Sequence, residues 1–116
     1  MAKHNKLGKD GELIAFMFLQ KEEYNILETN WRFQKAEIDV IAKKDGFLVF
    51  IEVKTRSSKK FGKPTDAIDK KKISLYRDAA EGYLGQYPTE DEIRFDVVSI
   101  IIAKDGTQIE YISNAF

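Results

Sequence analysis

The sequence predicts an α/β fold of about five strands and two main helices, in the order αβββαββ. Two long segments carry apolar residues at helical spacing, and several shorter segments are rich in β-branched and aromatic residues. Two of the shorter segments flank a polar turn that ends in Asp45-Gly46, which is a β-hairpin signal. With 116 residues, the chain is expected to form a single domain over residues 1–116.

The composition narrows the class of protein. Hydrophobic residues make up 43% of the chain, which is typical of a globular domain and not of a disordered one. The absence of cysteine excludes a disulfide framework and a thiolate zinc site, and it suits the cytoplasm, where we expect the protein. His4 is the only histidine, so a histidine metal cluster is excluded. No apolar run approaches the roughly 20 residues of a membrane span, and no membrane partner is expected.

The first helix is predicted over residues 5–23 and is clearest from Asp10 onward. Large apolar side chains between Leu13 and Leu19 form a wide apolar arc. Glu12 lies on the flank of this arc. Its carboxylate either reaches the sheet or is a first-turn glutamate that the helix dipole favours. Residues 24–33 then predict the first strand.

The next two strands form the hairpin that carries the candidate chemistry. Side chains alternate between the two faces of a strand, so Glu37 and Asp39 are expected on one face, and Ile38 and Val40 on the other. The polar residues 43–46 are expected to form a four-residue loop.

Loop length decides which residues of the hairpin face each other. A four-residue loop would place Asp39 opposite Phe50 and diagonal to Glu52, whereas a loop longer by two residues would place Asp39 directly opposite Glu52. Lys54 shares a face with Glu52, two positions earlier. Either register groups three carboxylates, including that of Glu37, with an ammonium.

This grouping is unfavourable without a counter-charge. The second hairpin strand is apolar on both faces, so it is expected to be covered on both sides. Unpaired carboxylates in such a place cost several kcal/mol each. A divalent cation would relieve the repulsion, because Mg²⁺ binds one or two carboxylates together with water and phosphate oxygens. The alternative is that Glu52 and Lys54 form an ordinary ion pair, with Glu37 and Asp39 at a solvated sheet end.

A basic segment follows the hairpin. Residues 54–72 carry eight basic and two acidic side chains, a net charge of +6 in a chain whose total charge is zero. Such a segment favours contact with a phosphate backbone; the alternative is a solvated, charge-rich loop and helix start. The candidate nucleic-acid ligands are Arg32, Arg56, Lys59, Lys60, Lys63, Lys70, Lys71 and Lys72.

The second helix is predicted from an N-cap at Thr65 to about Gln86, with Asp69 in its first turn. Tyr76 belongs to an apolar stripe at helical spacing and is expected in the core. Lys72 lies nearer the buried side than the two preceding lysines. It is either a phosphate ligand or a lysine whose stem snorkels along apolar surface.

The β-branched segments 93–103 and 108–112 predict the last two strands. Asp96 is the one acidic residue of the first of these segments. We expect it to anchor Arg94 or a neighbouring loop, and we rank it below the hairpin acids as a site residue.

The element order, with Asp39 and Glu52-Val53-Lys54 on the middle strands, resembles the PD-(D/E)xK core of restriction endonucleases and Holliday-junction resolvases. Over residues 5–112 the chain is also similar to the YraN family, whose members are inferred to be small endonucleases. One departure is Ala36, where many members carry glycine. The motifs that carry the similarity are Gly11-Glu12, Asn30-Trp31-Arg32, Glu37-Ile38-Asp39, Glu52-Val53-Lys54-Thr55-Arg56, Phe61-Gly62-Lys63-Pro64 and Arg94-Phe95-Asp96-Val97-Val98.

This resemblance implies a restriction-endonuclease-like core, with a central mixed sheet flanked by two helices. It implies that Asp39 and Glu52 bind the metal and that Lys54 positions or activates the attacking water. Glu12 would complete the metal cluster. Further candidates for the site are Glu37 and Thr55.

The implied function is Mg²⁺- or Mn²⁺-dependent hydrolysis of phosphodiester bonds in branched or structured DNA. The resolvases act as dimers because they cut two strands symmetrically, so a homodimer is also an expectation. The alternative is a non-catalytic nucleic-acid-binding module with the same fold. A protein-interaction domain that uses the sheet edge or the long helix is the third reading, and only the neutral net charge favours it.

Overall fold

The computed structural model describes residues 6–58 and 68–116, and its elements follow the predicted order αβββαββ. Within these ranges, neither helix is long and apolar enough to cross a bilayer. The elements are α1 (Lys6–Lys21), β1 (Asn25–Phe33), β2 (Ala36–Lys44), β3 (Phe47–Arg56), α2 (Lys70–Gln86), β4 (Glu92–Ala103) and β5 (Gly106–Ile112).

The five strands form one mixed sheet in the order β1-β2-β3-β4-β5. Strands β3 and β4 run parallel, and the other three neighbouring pairs are antiparallel. A parallel pair needs a long crossover connection, and α2 lies in the connection between β3 and β4. The predicted α/β fold with a five-stranded mixed sheet is therefore confirmed.

Each helix packs on its own face of the sheet. On the α1 side, the buried core consists of Ala15, Leu19, Val40, Ala42, Val49, Ile51, Val98 and Ile100. On the α2 side, it consists of Ala36, Ile38, Ile41, Leu48, Phe50, Tyr76, Ala79, Ala80 and Tyr83. Strand β3 contributes to both cores, which explains why its sequence is apolar on both faces.

Helix α1 approaches β3 very closely at Gly11. A Cβ atom at this position would lie 1.9 Å from Thr55 Oγ1 and 2.8 Å from Thr55 Cβ. Only glycine fits this contact without a shift of the helix or the strand. The contact fixes the height of the neighbouring Glu12 above the sheet.

The hairpin turn is shorter than predicted. The ladder between β2 and β3 continues to the pair Lys44 and Phe47, so the turn consists of Asp45 and Gly46 alone. Their φ angles are 52° and 83°, the left-handed values that two-residue hairpin turns require. The predicted four-residue loop over residues 43–46 is wrong, because its two lysines extend strand β2.

Helix α2 also begins later than predicted. Asp69 is the N-cap, and its side chain accepts a hydrogen bond of 2.8 Å from the backbone N–H of Lys72. Thr65 lies outside the described residues, and Ile68 and Asp69 are not helical, so the cap predicted at Thr65 is wrong. The end of the helix at Gln86 agrees with the prediction.

Candidate functional site

Strand β2 departs from regular alternation at Asp39. Ile38 packs in the α2-side core and Val40 in the α1-side core, so the prediction that they share a face is wrong. The ladder between β2 and β3 ends at the pair Val40 and Ile51. Asn30 lies opposite Asp39 in β1 and has a left-handed φ of 52°. The two irregularities meet at Asp39, whose side chain contacts β3.

The Asp39 carboxylate lies against the backbone of β3. Its Oδ2 accepts a hydrogen bond of 2.8 Å from the N–H of Val53, and its own N–H donates to the hydroxyl of Tyr76 over 3.4 Å. The pairing of β2 with β3, continued by one residue, places Asp39 directly opposite Glu52. This is the register predicted for the longer loop, although a shorter turn produces it.

Burial and repulsion act together on Asp39. Burial raises the pKa of its carboxyl well above the ordinary value of 3.8, and the neighbouring Glu52 carboxylate raises this pKa further. The hydrogen bond from Val53 and the positive charge of Lys72 oppose this rise. The Glu52 carboxylate is therefore close enough to Asp39 to disfavour the negative charge of the Asp39 carboxyl.

Glu52 is buried, with 7% of its surface exposed, and helix α2 supplies both of its partners. The Lys72 ammonium lies 2.5 Å from Oε2, and the Tyr76 hydroxyl donates to Oε1 over 2.6 Å. Burial raises the pKa of Tyr76 well above 10.0, and both nearby carboxylates raise it further. The Tyr76 hydroxyl therefore stays protonated and keeps donating to Glu52 at neutral pH.

These groups face a cleft of about 510 Å³ between the end of the β2–β3 hairpin and the start of α2. Its lining carries more acidic than basic side chains, so the cleft favours a cation. Five carboxylates and three ammonium groups line it: Glu12, Glu37, Asp39, Glu52, Asp69, Lys35, Lys71 and Lys72.

The convergent pair Asp39 and Glu52 fits a divalent cation held by two protein carboxylates. Mg²⁺ typically takes one or two carboxylates and fills its other positions with water and phosphate oxygens. A cation between the two acids would remove the repulsion that raises the Asp39 pKa. Within residues 6–58 and 68–116, no three acidic or histidine side chains are grouped closely enough to hold a metal ion by themselves.

Two other predicted acids line the same cleft. Glu12 is exposed and lies in the middle of α1, so it is not a first-turn glutamate. Glu37 is half-buried, and its Oε1 lies 3.9 Å from the guanidinium of Arg32 across the β1–β2 ladder. The cleft thus contains Glu12, Glu37, Asp39 and Glu52. Glu52 is the buried member, Glu37 and Asp39 are half-buried, and Glu12 is exposed.

Lys54 and Thr55 follow Glu52 in β3. Neither lines the cleft. Lys54 lies beside Ser99 of β4, and within the described part of the chain it forms no ion pair with Glu52. The alternative of an ordinary Glu52–Lys54 ion pair is therefore wrong, because Lys72 is the partner of Glu52. Thr55 packs under α1 against Gly11.

The predicted basic residues are divided between the cleft and the surface. Lys71 and Lys72 line the cleft, whereas Lys70 is exposed beside it. The side chain of Arg32 is 73% exposed. Arg56 is half-buried at the end of β3. Lys59, Lys60 and Lys63 lie outside the described residues, so their contribution stays a prediction.

Sequence reasoning missed Tyr76 and Lys35 as site residues. Tyr76 was assigned to packing because it fits the apolar stripe of α2. A usable signal was its position four residues after Lys72, which puts both polar groups on one helix face. Lys35 lies in the short turn between β1 and β2. It lines the cleft because of the tertiary structure, and its local sequence gives no sign of this position.

Asp96 is an anchor, as predicted, and does not line the cleft. It is fully buried and accepts hydrogen bonds from Arg94 Nε at 3.0 Å, from the Asn114 N–H at 3.0 Å and from the Tyr111 hydroxyl. Arg94 in turn donates to the Tyr24 hydroxyl over 3.2 Å. This network joins β4 and β5 to the start of β1.

Comparison with known proteins gives a consistent family assignment. Residues 11–100 match the model of "Uncharacterised protein family UPF0102". The whole chain aligns with a UPF0102 protein of Flavobacterium psychrophilum at 49% identity and with one of Christiangramia forsetii at 47%, covering 98% of each relative. A UPF0102 protein of Parabacteroides distasonis is 40% identical over the whole chain and 96% of its own length. The chain belongs to the UPF0102 family.

Proposed function

We propose that the protein is a metal-dependent nuclease that hydrolyses phosphodiester bonds, with branched or structured DNA as its substrate and Mg²⁺ or Mn²⁺ as its cofactor. The observation that supports this proposal is the convergence of the Asp39 and Glu52 carboxylates in one cleft beside the Lys72 ammonium. Asp39 and Glu52 would hold the cation. When bound, it would neutralise charge on the scissile phosphate.

The charges of the cleft suggest an order of binding. Its lining has more carboxylates than ammonium groups, so an anionic backbone is repelled until a cation has bound. Lys35 and Lys71 would then contact phosphates beside the scissile bond, as lysines commonly do. Glu12 lies on the α1 side of the cleft, where it would contribute to cation binding through water.

The finer family assignment is part of this proposal. We propose that the protein corresponds to the YraN group and that its core is of the PD-(D/E)xK type. The order αβββαββ supports this, together with Asp39 and Glu52 on adjacent strands. We also propose a cytoplasmic location and a homodimer that cuts two strands symmetrically.

A cleavage assay tests the proposal. Wild type is incubated with four-way-junction, flap, single-stranded and duplex DNA in Mg²⁺, Mn²⁺ or EDTA. We expect metal-dependent products, and a loss of about two orders of magnitude or more in Asp39→Asn and in Glu52→Gln. Asp78→Asn is the matched control, since Asp78 is an exposed carboxylate of α2 outside the cleft. Absence of any product, or cleavage by the two site variants at the rate of wild type, would contradict the proposal.

One observation favours the second candidate, a nucleic-acid-binding module without catalysis. Both Glu52 oxygens already accept hydrogen bonds, one from Lys72 and one from Tyr76. Such a module would bind DNA in EDTA with an affinity that falls steeply with salt, and it would form no product. Binding measurements with and without Mn²⁺ distinguish the two candidates.

A further inference from the structure

Lys72 occupies the position at Glu52 that a cation would need. Its ammonium lies 2.5 Å from Glu52 Oε2, while the Tyr76 hydroxyl holds the other oxygen. The Glu52 side chain is 9% exposed and the Lys72 side chain 42% exposed. Of the two partners of the ion pair, Lys72 is the one that can move into solvent.

An ammonium and a divalent cation exclude each other at one carboxylate oxygen. Mg²⁺ binds oxygen at about 2.0–2.1 Å, and a positive charge within a few ångströms of it is strongly repelled in a partly buried site. Glu52 cannot turn away from Lys72 easily, because it is buried and held by Tyr76. Cation binding at Glu52 therefore requires that the Lys72 ammonium leaves.

The backbone of Lys72 is fixed while its side chain is free to swing. Its N–H is bonded to the N-cap carboxylate of Asp69 at 2.8 Å, so the first turn of α2 stays in place. The flexible four-carbon stem can carry the ammonium elsewhere in the cleft, which Lys71 also lines. A phosphate that enters with the cation would meet this released charge.

We propose that Lys72 is a positioning residue that neutralises Glu52 before metal loading, competes with the divalent cation for this carboxylate, and is released toward the substrate phosphate when the cation binds. The inference rests on the proposed function, because it concerns the same cleft. Tyr76 is not displaced and keeps Glu52 oriented in both states. Metal binding and phosphate binding are then coupled through one side chain.

Mn²⁺ affinity tests the competition directly. Free Mn²⁺ is counted by electron paramagnetic resonance during titration of wild type, Lys72→Met and Lys71→Met. Methionine keeps most of the apolar stem and removes the charge. We expect Lys72→Met to bind Mn²⁺ about tenfold more tightly than Lys71→Met, because a charge-assisted hydrogen bond to the ligand is lost. Lys71→Met corrects for the loss of one positive charge from the cleft, since Lys71 lines it without contacting Glu52.

A second measurement uses the wild type alone, in case Lys72→Met does not fold as judged by circular dichroism. The ¹⁵N resonances of the lysine ammonium groups are followed during a Mg²⁺ titration. We expect the Lys72 resonance to shift as the site becomes saturated with Mg²⁺. The shift of the Lys71 resonance should be only a small fraction of the shift of Lys72. A Lys72 signal that stays in place at saturating Mg²⁺ would overturn the inference.

The outcomes separate this inference from the proposed function. If wild type binds Mn²⁺ and cuts DNA but Lys72→Met binds no more tightly than Lys71→Met, the competition is wrong and the nuclease proposal stands. That result would mean that the Lys72–Glu52 ion pair is structural and does not compete with the cation. If neither wild type nor Lys72→Met binds Mn²⁺, both proposals fail.

Discussion

Helices α1 and α2 cover opposite faces of one sheet, yet they contribute to the cleft in different ways. Helix α1 is held by close packing, with Gly11 against Thr55, and its cleft residue Glu12 is exposed. Helix α2 reaches the acids with polar groups, since Lys72 and Tyr76 both bond to Glu52. Steric fit therefore sets the position of α1 on the sheet, whereas α2 contacts the acids through charge and hydrogen bonds. The two helices are expected to respond to different substitutions.

The largest effect is expected where α1 contacts β3. Gly11→Ala would place a Cβ 1.9 Å from Thr55 Oγ1, which forces the helix off the strand. We expect the free energy of unfolding to fall by about 3 kcal/mol, as in an overpacked core. Gly85→Ala is the control. Among the described residues, nothing beyond its chain neighbours and the adjacent helix backbone lies within 4 Å of an added Cβ, so this change should stabilise α2 by up to about 1 kcal/mol. Urea denaturation measures both, and equal effects would contradict the volume argument for α1.

The next effect isolates the polar contribution of α2. Tyr76→Phe keeps the ring and removes the hydroxyl that joins Glu52 to the N–H of Asp39. We expect a loss of about 2 kcal/mol in the free energy of unfolding, because two buried polar groups lose a partner. Tyr83→Phe is the control, since the described residues offer no hydrogen bond to the Tyr83 hydroxyl. A Tyr76→Phe variant as stable as Tyr83→Phe would show that α2 also acts by packing alone.

Asp39 lies between helices α1 and α2, and its substitution is expected to change the free energy of unfolding by a smaller amount. Here the change is an increase in stability. Burial and Glu52 raise the pKa of this carboxyl in the folded state, so the folded protein binds its proton more tightly than the unfolded chain. Stability from this group is therefore complete below about pH 4 and is lost as pH rises toward the raised pKa. Asp39→Asn should remove this loss and stabilise the protein by about 1 to 2 kcal/mol at pH 7 in EDTA.

The pH series supplies the control for Asp39. The advantage of Asp39→Asn over wild type should shrink as pH falls through 4, because below this pH the wild-type carboxyl becomes protonated in both states. Thermal unfolding from pH 4 to pH 8 measures this difference. An advantage that does not change with pH would contradict the role of the raised pKa. In saturating Mg²⁺ the advantage should also shrink, because the cation stabilises only the wild type.

The smallest effect concerns the backbone opposite Asp39. Asn30 has a φ of 52°, a conformation that glycine adopts without strain and alanine does not. We expect Asn30→Gly to be more stable than Asn30→Ala by about 1 kcal/mol. If the backbone alone orients Asp39, Asn30→Gly also keeps the wild-type Mn²⁺ affinity. A matched loss of affinity in both variants would instead assign a role to the Asn30 side chain.

The fold was predictable because its signals are local and repeated. The apolar runs of β3, the Asp45-Gly46 turn and the spacing along both helices each determine an element without knowledge of the others. The predictions were wrong where the local sequence is equally compatible with more than one secondary structure. Lys43 and Lys44 read as a loop, although they extend β2, and Lys43 pairs with Asp91 at 3.1 Å.

The site was less predictable because its residues meet through tertiary structure. Asp39 and Glu52 were found because they lie on paired strands, for which sequence distance and spatial distance are linked. Lys54, two residues away, was the ion-pair partner of Glu52 in the alternative reading, whereas Lys72 reaches Glu52 from the first turn of α2, within the crossover connection. The irregular alternation at Asp39 lies opposite the left-handed Asn30 of another strand, and no pattern within β2 reveals it.

The Asp45-Gly46 turn lies about 20 Å along the hairpin from Asp39, and it still determines which residue of β3 faces Asp39. Side chains alternate with a period of two, so one residue inserted here would slide β2 against β3 and rotate Asp39 away from Glu52. The length of the turn therefore sets the register that brings Asp39 opposite Glu52. Changes of its length, at a turn that does not line the cleft, are expected to be as damaging to function as removal of a carboxylate.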